Sequence, residues 1–177
     1  NNTDKPVFSF ELVPPLKGGD INKIYEAIEP LIALAPPFIN ITFHRDEVVY
    51  REYPDGTIKK VTVTKRPGSV ALAAAIMRRY NVDMVPHIVC GGATRHKIEN
   101  ELIDLNFLDI ENVMALRGDP IPGERFFTPE EGGHRYSCEL VEQITRMNHG
   151  QYLDDTLTDT VPTNFCIGVA GYPEKHY

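Results

Sequence analysis

The sequence predicts an α/β protein built around a parallel sheet. Short apolar runs rich in β-branched or aromatic residues alternate with longer amphipathic runs, and Ser, Thr or Asp stands where each amphipathic run begins. Strand and helix signals that alternate without interruption are typical of parallel strands joined by helical crossovers. A length of 177 residues leaves room for about one domain, so we expect residues 1–177 to form a single domain.

Five strands and four helices follow from this pattern. The predicted strands cover residues 7–13, 38–43, 84–90, 113–117 and 165–170. In the helical segments between them, apolar residues recur at i, i+3, i+4 and i+7. Ser69 begins one of these segments, and the other three have an expected N-cap residue, namely Asp20, Thr94 and Ser137.

One segment, residues 48–63, breaks the alternation of strand and helix. Its residues alternate in character on both sides of Pro54-Asp55-Gly56, and Asp-Gly is a turn sequence typical of two-stranded hairpins. The pattern predicts a β-hairpin inserted after the second strand, turning at Asp55-Gly56. Two interpretations are open: a solvent-exposed decoration, or a lid over a site at the carboxyl end of the strand.

The composition disfavours several classes of function. Lys and Arg total 18 against 25 Asp and Glu, a net charge of −7, so no nucleic-acid or membrane partner is expected. No apolar run approaches the ~18 residues of a spanning helix and no signal-peptide core is present, so a cytoplasmic location is expected. Cys90, Cys138 and Cys166 are widely spaced, which suggests reduced thiols. His87, Cys90 and His96 do not complete a four-ligand set, and no metal is expected.

Polar or ionisable residues stand near the carboxyl end of every predicted strand, where parallel α/β folds carry their sites. Glu11 lies between Phe10 and Leu12 and close to Pro14. A carboxyl group in apolar surroundings has a raised pKa and remains a proton donor near neutral pH. The alternative is a charged carboxylate that reaches water at a strand end.

The run Arg117-Gly118-Asp119 follows the fourth predicted strand. Gly118 permits close approach of a ligand to the backbone, and the guanidinium of Arg117 suits a phosphate or a carbonyl-rich ring. The simpler interpretation is an ion pair between Arg117 and Asp119 at a tight turn.

Five motifs together resemble the methylenetetrahydrofolate reductase family. They are F-S-F-E-L-V-P-P at 8–15, N-I-T-F at 40–43, P-H-I-V-C at 86–90, A-L-R-G-D-P at 115–120 and V-A-G-Y-P-E-K-H at 169–176. The resemblance extends from about residue 7 to residue 177. It implies a (βα)8 TIM-barrel type of fold, of which the first five strands and four helices are present, with the β-hairpin insertion after strand two.

The resemblance also implies an activity. Members of the family use NADH or NADPH to reduce FAD, which then reduces 5,10-methylenetetrahydrofolate to 5-methyltetrahydrofolate, a reaction of one-carbon metabolism and methionine biosynthesis. The expected partners are therefore the folate and a nicotinamide nucleotide, and a homo-oligomer is expected.

Roles for individual residues follow from their motif positions. Glu11 corresponds to the general acid, and Asp119 to a catalytic residue beside both the flavin and the folate. The positions that correspond to flavin contacts are Thr42, Phe43, His87, Arg117, Gly118, Asp119, Tyr136, Ser137, Ala170, Tyr172 and His176.

The sequence departs from the family in two ways. Many relatives have T-Y-G-A where this chain has Thr42-Phe43-His44-Arg45. A barrel of this type needs ~250 residues, so we expect an incomplete barrel that is inactive by itself. The alternatives are a non-catalytic fragment that self-associates and a different barrel enzyme, such as a zinc-dependent methyltransferase.

Overall fold

The computed structural model describes residues 6–171 as an α/β structure. Within this part of the chain the elements are, in order, β1 (Phe10–Leu12), α1 (Ile21–Ile32), β2 (Phe38–Ile41), β3 (Glu47–Glu52), β4 (Ile58–Val63), α2 (Ser69–Tyr80), β5 (Asp83–Val89), α3 (Arg95–Phe107), β6 (Asn112–Leu116), α4 (Ser137–Met147) and β7 (Cys166–Val169). The five predicted strands of the main sheet, the four helices and the hairpin are all confirmed, with boundaries that differ by a few residues.

The main sheet has the order β1-β2-β5-β6-β7, and every neighbouring pair is parallel. The strands therefore follow one another in space as they do in sequence. Because crossovers between parallel strands are right-handed, a sheet in this order carries all four helices on one side. We call that side the helix-covered face and the other the open face. The carboxyl ends of the five strands form one edge, which we call the carboxyl edge.

The helix-covered face holds the hydrophobic core. The sheet residues on it are 0–1% exposed and comprise Ile39, Ile41, Met84, Ile88, Val113 and Ala115. The helices contribute residues that are equally buried, among them Ile28, Ile76, Ile98, Leu102 and Ile144. Burial of each such side chain contributes about 1.5–3 kcal/mol, so this face provides most of the stability of the fold.

Helix starts agree with the sequence in three of four cases. The side chains of Asp20 and Thr94 accept hydrogen bonds from the first turns of α1 and α3, as predicted, and α2 begins at Ser69. The prediction that Ser137 caps α4 is wrong, because Ser137 is the first helical residue. A carboxylate oxygen of Glu139 accepts from the backbone N–H groups of Arg135 and Tyr136 at 2.7 and 3.2 Å instead, and charged acceptors make the stronger hydrogen bonds.

The hairpin turns where the sequence predicts. Strands β3 and β4 are antiparallel, and the carboxylate of Asp55 accepts from the N–H and the hydroxyl of Thr57 at 3.0 and 2.6 Å. Its returning end is fixed to the loop after β1, because the N–H of Lys17 donates to the carbonyl of Lys65 at 2.8 Å and the guanidinium of Arg66 donates to the carbonyl of Pro14.

None of the helices between residues 6 and 171 has the length and apolar character of a membrane span.

Candidate active site

The parallel sheet brings the predicted site residues to one edge. Glu11 lies in β1, Thr42 directly follows β2, His87 lies in β5, Arg117 directly follows β6, and Ala170 directly follows β7. Each stands at or near the carboxyl end of its strand, where a ligand that bridges several strands can contact them together.

Glu11 and His87 approach each other on the open face. Carboxylate Oε2 of Glu11 is 3.8 Å from Nε2 of His87. The His87 side chain is deeply buried, and this burial lowers its pKa, an effect that the charge of Glu11 partly opposes. Nε2 of His87 is buried without a hydrogen-bond partner among the described residues. The ring is therefore neutral at pH 7, with unused hydrogen-bonding capacity directed at the carboxylate.

The apolar shelter expected around Glu11 is not provided by its sequence neighbours. Phe10 and Leu12 pair with Ile39 and Ile41 and belong to the opposite face, since successive side chains of a strand point in opposite directions. Within the described residues, the Glu11 side chain is 58% exposed. The carboxyl group is thus accessible to a ligand on the open face.

A second buried polar residue lies beside Glu11. Asn40 is level with Glu11 in the register of β1 and β2 and is 9% exposed. Its Nδ2 donates to Oγ of Ser9 at 3.2 Å, while its Oδ1 has no partner within residues 6–171. Thr42 binds the end of β1, because its N–H and hydroxyl both donate to the carbonyl of Leu12, at 3.0 and 3.2 Å.

Glycine is required in the loop after β6. Gly118 has φ of +85°, and a Cβ atom at this position would lie 2.6 Å from Cγ1 of Val89. The neighbouring Arg117 places its guanidinium carbon 5.4 Å from the centre of the Phe127 ring, and its Nε donates to the Gly118 carbonyl at 3.4 Å. The ion pair between Arg117 and Asp119 is not formed, so the simpler interpretation of this loop is wrong.

Tyr136 and Ser137 lie at the start of α4, next to the carboxyl end of β5. Sγ of Cys90 donates to the carbonyl of Tyr136 over 3.7 Å, and the ring of Tyr136 is half-exposed. Burial raises the pKa of Cys90 to about 11, so this residue is a protonated thiol at neutral pH. Hydrogen bonds from the N–H groups of Arg135 and Tyr136 lower the pKa of Glu139.

Of the remaining predicted residues, two lie at the carboxyl edge and two lie outside the described part of the chain. Phe43 is half-buried and Ala170 is exposed, both at the carboxyl edge. Tyr172 and His176 lie outside the described residues. Within residues 6–171 no group of three or more His, Cys, Asp or Glu residues is arranged to hold a metal ion.

Two features of the site were missed by sequence reasoning. The approach of His87 to Glu11 follows from register, because Glu11 is level with Asn40, Asn40 is level with Val85, and His87 is two residues further along β5 on the same face. That register could have been proposed from the strand alignment. The position of Arg45, whose Nη1 donates to the Asp119 carbonyl at 3.4 Å, had no signal in the sequence, because a loop conformation determines it.

Comparison with known proteins gives one consistent result. The family model described as methylenetetrahydrofolate reductase matches residues 1–177. A protein of Arabidopsis thaliana named methylenetetrahydrofolate reductase (NADH) 1 is 30% identical over 169 residues, which is 96% of this chain and 24% of the relative. The 5,10-methylenetetrahydrofolate reductase of Pectobacterium carotovorum subsp. carotovorum is 24% identical over 170 residues, 95% of this chain and 44% of the relative.

A third relative, from Caenorhabditis elegans, is named probable methylenetetrahydrofolate reductase (NADPH) and is 25% identical over 169 residues. It matches 96% of this chain and 21% of its own length. The chain therefore spans less than half the length of each of these relatives. The family model covers all of it, and the chain belongs to the methylenetetrahydrofolate reductase family.

Proposed function

We propose that the protein reduces 5,10-methylenetetrahydrofolate to 5-methyltetrahydrofolate, with NADH or NADPH as electron donor and FAD as cofactor. The observation that carries the proposal is the position of Glu11, 3.8 Å from the buried ring of His87, at the same edge as the 117–119 loop. Membership of the family supports the reaction. The names of two relatives, one specifying NADH and the other NADPH, support a nicotinamide nucleotide as co-substrate.

We propose that residues 1–177 are the first five strands and four helices of a (βα)8 barrel and belong to one catalytic domain, which they do not complete. Five parallel strands in chain order, with helices on one face, have the arrangement of consecutive barrel strands. In that arrangement the open face lines the interior, the carboxyl edge forms the mouth, and the hairpin stands at the mouth after the second strand.

The described residues fit a flavin dinucleotide at the carboxyl edge. Nε2 of His87 and Oδ1 of Asn40 are buried polar atoms without partners among these residues, so they can bond to the polar edge of an isoalloxazine ring. Gly118 leaves room for a close approach to the backbone. Bound FAD would supply hydride transfer between the nicotinamide nucleotide and the folate. The residues we propose to hold it are Thr42, Phe43, His87, Arg117, Gly118, Asp119, Tyr136, Ser137 and Ala170, together with Tyr172 and His176.

Glu11 is proposed as the general acid. Its carboxyl donates a proton to the ring nitrogen that is released when the five-membered ring of the folate opens to the iminium. The exposed carboxyl can be reached from the open face by a folate ring that lies over it. Asp119 supplies a negative charge near the cationic iminium, since its carboxylate forms no ion pair within the described residues.

The test is a Glu11→Gln substitution in protein expressed from the complete reading frame. The amide keeps the size of the side chain and cannot donate the carboxylic proton, so folate reduction is expected to fall by about 100-fold or more. Oxidation of the nicotinamide nucleotide by a quinone acceptor does not need this proton and is expected to continue. Glu52→Gln, on the exposed part of β3, is the matched control.

Two results would contradict the proposal in different ways. Survival of both half-reactions in Glu11→Gln would show that Glu11 is not the acid. Purified wild-type protein without flavin absorbance, and without folate reduction after FAD is added, would reject the reaction itself.

A further inference from the structure

The segment that joins β2 to the hairpin crosses the carboxyl edge of the sheet. It passes over the end of β5, because a Cβ atom built on Gly92 would lie 3.5 Å from Cβ of Arg45, and one built on Gly91 would lie 3.3 Å from Nη1 of Arg45. The Arg45 guanidinium then reaches the loop after β6, where Nη1 donates to the Asp119 carbonyl at 3.4 Å. Arg45 therefore spans the ends of three neighbouring strands.

This position is held from both ends of the hairpin. After β4, the carbonyl of Lys65 and the guanidinium of Arg66 form hydrogen bonds with the loop after β1. Before β3, the guanidinium of Arg45 donates to the carbonyl of Asp119. The hairpin is thus attached at both ends, while most residues of β3 and β4 are exposed.

Arg45 shares its location with a second guanidinium. The Phe127 ring lies 3.3 Å from the Cβ position of Gly91, as Nη1 of Arg45 does. The guanidinium carbon of Arg117 lies 5.4 Å from the centre of the same ring. A third cation, Lys97, lies close by, since its Nζ donates to the Gly92 carbonyl at 3.5 Å. Three cations thus gather beside the glycines that follow β5, in a chain whose net charge is −7.

The two guanidiniums have most of their donors free. Each makes one long hydrogen bond of 3.4 Å to a carbonyl of the 118–119 segment, and neither forms an ion pair with a carboxylate of the described residues. A guanidinium carries five N–H donors in a planar fork that matches phosphate oxygens. Like charges held together in this way repel each other until an anion lies between them. The carboxylate of Asp119 on the same segment opposes such an anion, and Glu101, which interacts with Lys97, offsets part of the charge of that lysine.

We propose that Arg45, together with Arg117, binds the diphosphate of a dinucleotide at the carboxyl edge. The inference rests on the proposed function for the identity of the dinucleotide, which is either FAD or the nicotinamide nucleotide. It adds a binding residue at a position where the sequence departs from the T-Y-G-A pattern of many relatives. It also gives the hairpin a role, which is to hold that residue over the glycines.

The first measurement is the Kd of FAD for the apoprotein, expressed from the complete reading frame, by quenching of flavin fluorescence. Arg45→Gln is expected to raise this Kd roughly tenfold to a hundredfold, because a charge-assisted bond to phosphate is lost. Riboflavin has the same ring without the diphosphate, so its affinity is expected to stay the same. Arg45→Lys keeps the charge without the fork and is expected to lose several-fold. The control Arg51→Gln removes the same charge from an exposed position on β3 and is expected to have no effect.

The second measurement distinguishes the two dinucleotides. If Arg45→Gln weakens binding of NADH and NADPH to the FAD-loaded protein and leaves the Kd of FAD unchanged, the diphosphate is that of the nicotinamide nucleotide. If FAD, NADH and NADPH all bind Arg45→Gln as tightly as they bind Arg51→Gln, the proposal is overturned.

A third measurement separates this proposal from the proposed function. Inorganic pyrophosphate is titrated into wild-type and Arg45→Gln protein in a calorimeter. Binding to wild type that is lost in the variant supports the anion site even where neither dinucleotide binds, in which case only the proposed function fails. Equal pyrophosphate binding by both proteins, or by neither, together with unchanged dinucleotide affinities, rejects the site.

Discussion

The two faces of the sheet differ in the side chains that they present, which are apolar and buried on one face and include polar groups on the other. On the helix-covered face, Ile39, Ile88 and Val113 are fully buried, and alternating apolar residues specify which strands form and how they pack. On the open face, the same strands place Glu11 and His87 within 3.8 Å of each other, with polar atoms that have no partner among the described residues. One face therefore supplies stability and the other carries the residues of the proposed site, and substitutions on the two faces should have different consequences.

The largest expected difference is in stability. Ile88→Ala removes a fully buried side chain from the helix-covered face and is expected to lower the free energy of unfolding by about 3 kcal/mol, since it leaves a cavity in the core. Met114→Ala, on the open face of the adjacent strand, removes a half-buried side chain and is expected to cost about 1 kcal/mol. Urea denaturation of both variants measures the difference, and equal losses would show that the faces are not energetically distinct.

The reactivity of the cysteines measures the difference between the buried core and the exposed surfaces without any substitution. Burial raises the pKa of Cys90 to about 11, from an ordinary value of 9.0, which reduces its thiolate fraction about a hundredfold at pH 8. Cys166 on β7 and Cys138 on α4 are exposed. Treatment of the 177-residue chain with iodoacetamide, followed by mass spectrometry, is expected to modify Cys138 and Cys166 and to leave Cys90 free.

The same reagent sharpens the comparison in protein expressed from the complete reading frame. A barrel that encloses the open face protects Cys166 and leaves Cys138 reactive. Equal labelling of these two residues in that protein would argue against enclosure of the open face. Rapid labelling of Cys90 in either sample would contradict the buried position of this thiol.

The contrast between the faces also explains what the sequence could predict. The core strands are recognisable because Ile88 and Val113 lie in short runs of apolar residues. The position of sites at strand carboxyl ends predicts that Glu11, His87 and Arg117 lie along one edge of the sheet. These inferences need only the direction of each strand and the alternation of its side chains. The same alternation shows why Phe10 and Leu12 do not shelter Glu11.

The features that escaped prediction depend on which of several available contacts forms. The conformation that brings Arg45 over Gly91 is fixed by bonds to Asp119 at one end of the hairpin and to Pro14 and Lys17 at the other. At α4, the capping acceptor is Glu139, in the first turn of the helix, and the serine expected to cap is already helical. A loop or a cap of this kind is chosen by competition among several acceptors, which the local pattern does not rank.

The smallest expected effect is a pH dependence that arises on the open face. Burial lowers the pKa of His87 in the folded protein, so below about pH 6.5 the unfolded chain binds a proton that the folded chain does not. This residue therefore favours unfolding increasingly as the pH falls from 6.5 towards the lowered value. His87→Gln removes the effect, so the loss of unfolding free energy between pH 7.5 and pH 5 is expected to be smaller in the variant than in wild type.

The control for this measurement is His44→Gln. Burial and the charge of Arg66 lower the pKa of His44 as well, so this variant is expected to change the pH dependence in the same direction through a group of the hairpin segment. The two changes should add in the double variant, because no hydrogen bond or ion pair joins the two residues within residues 6–171. An unchanged pH dependence in His87→Gln would mean that the ring is not buried as a neutral group beside Glu11, and the proposed site would then lack this polar pair.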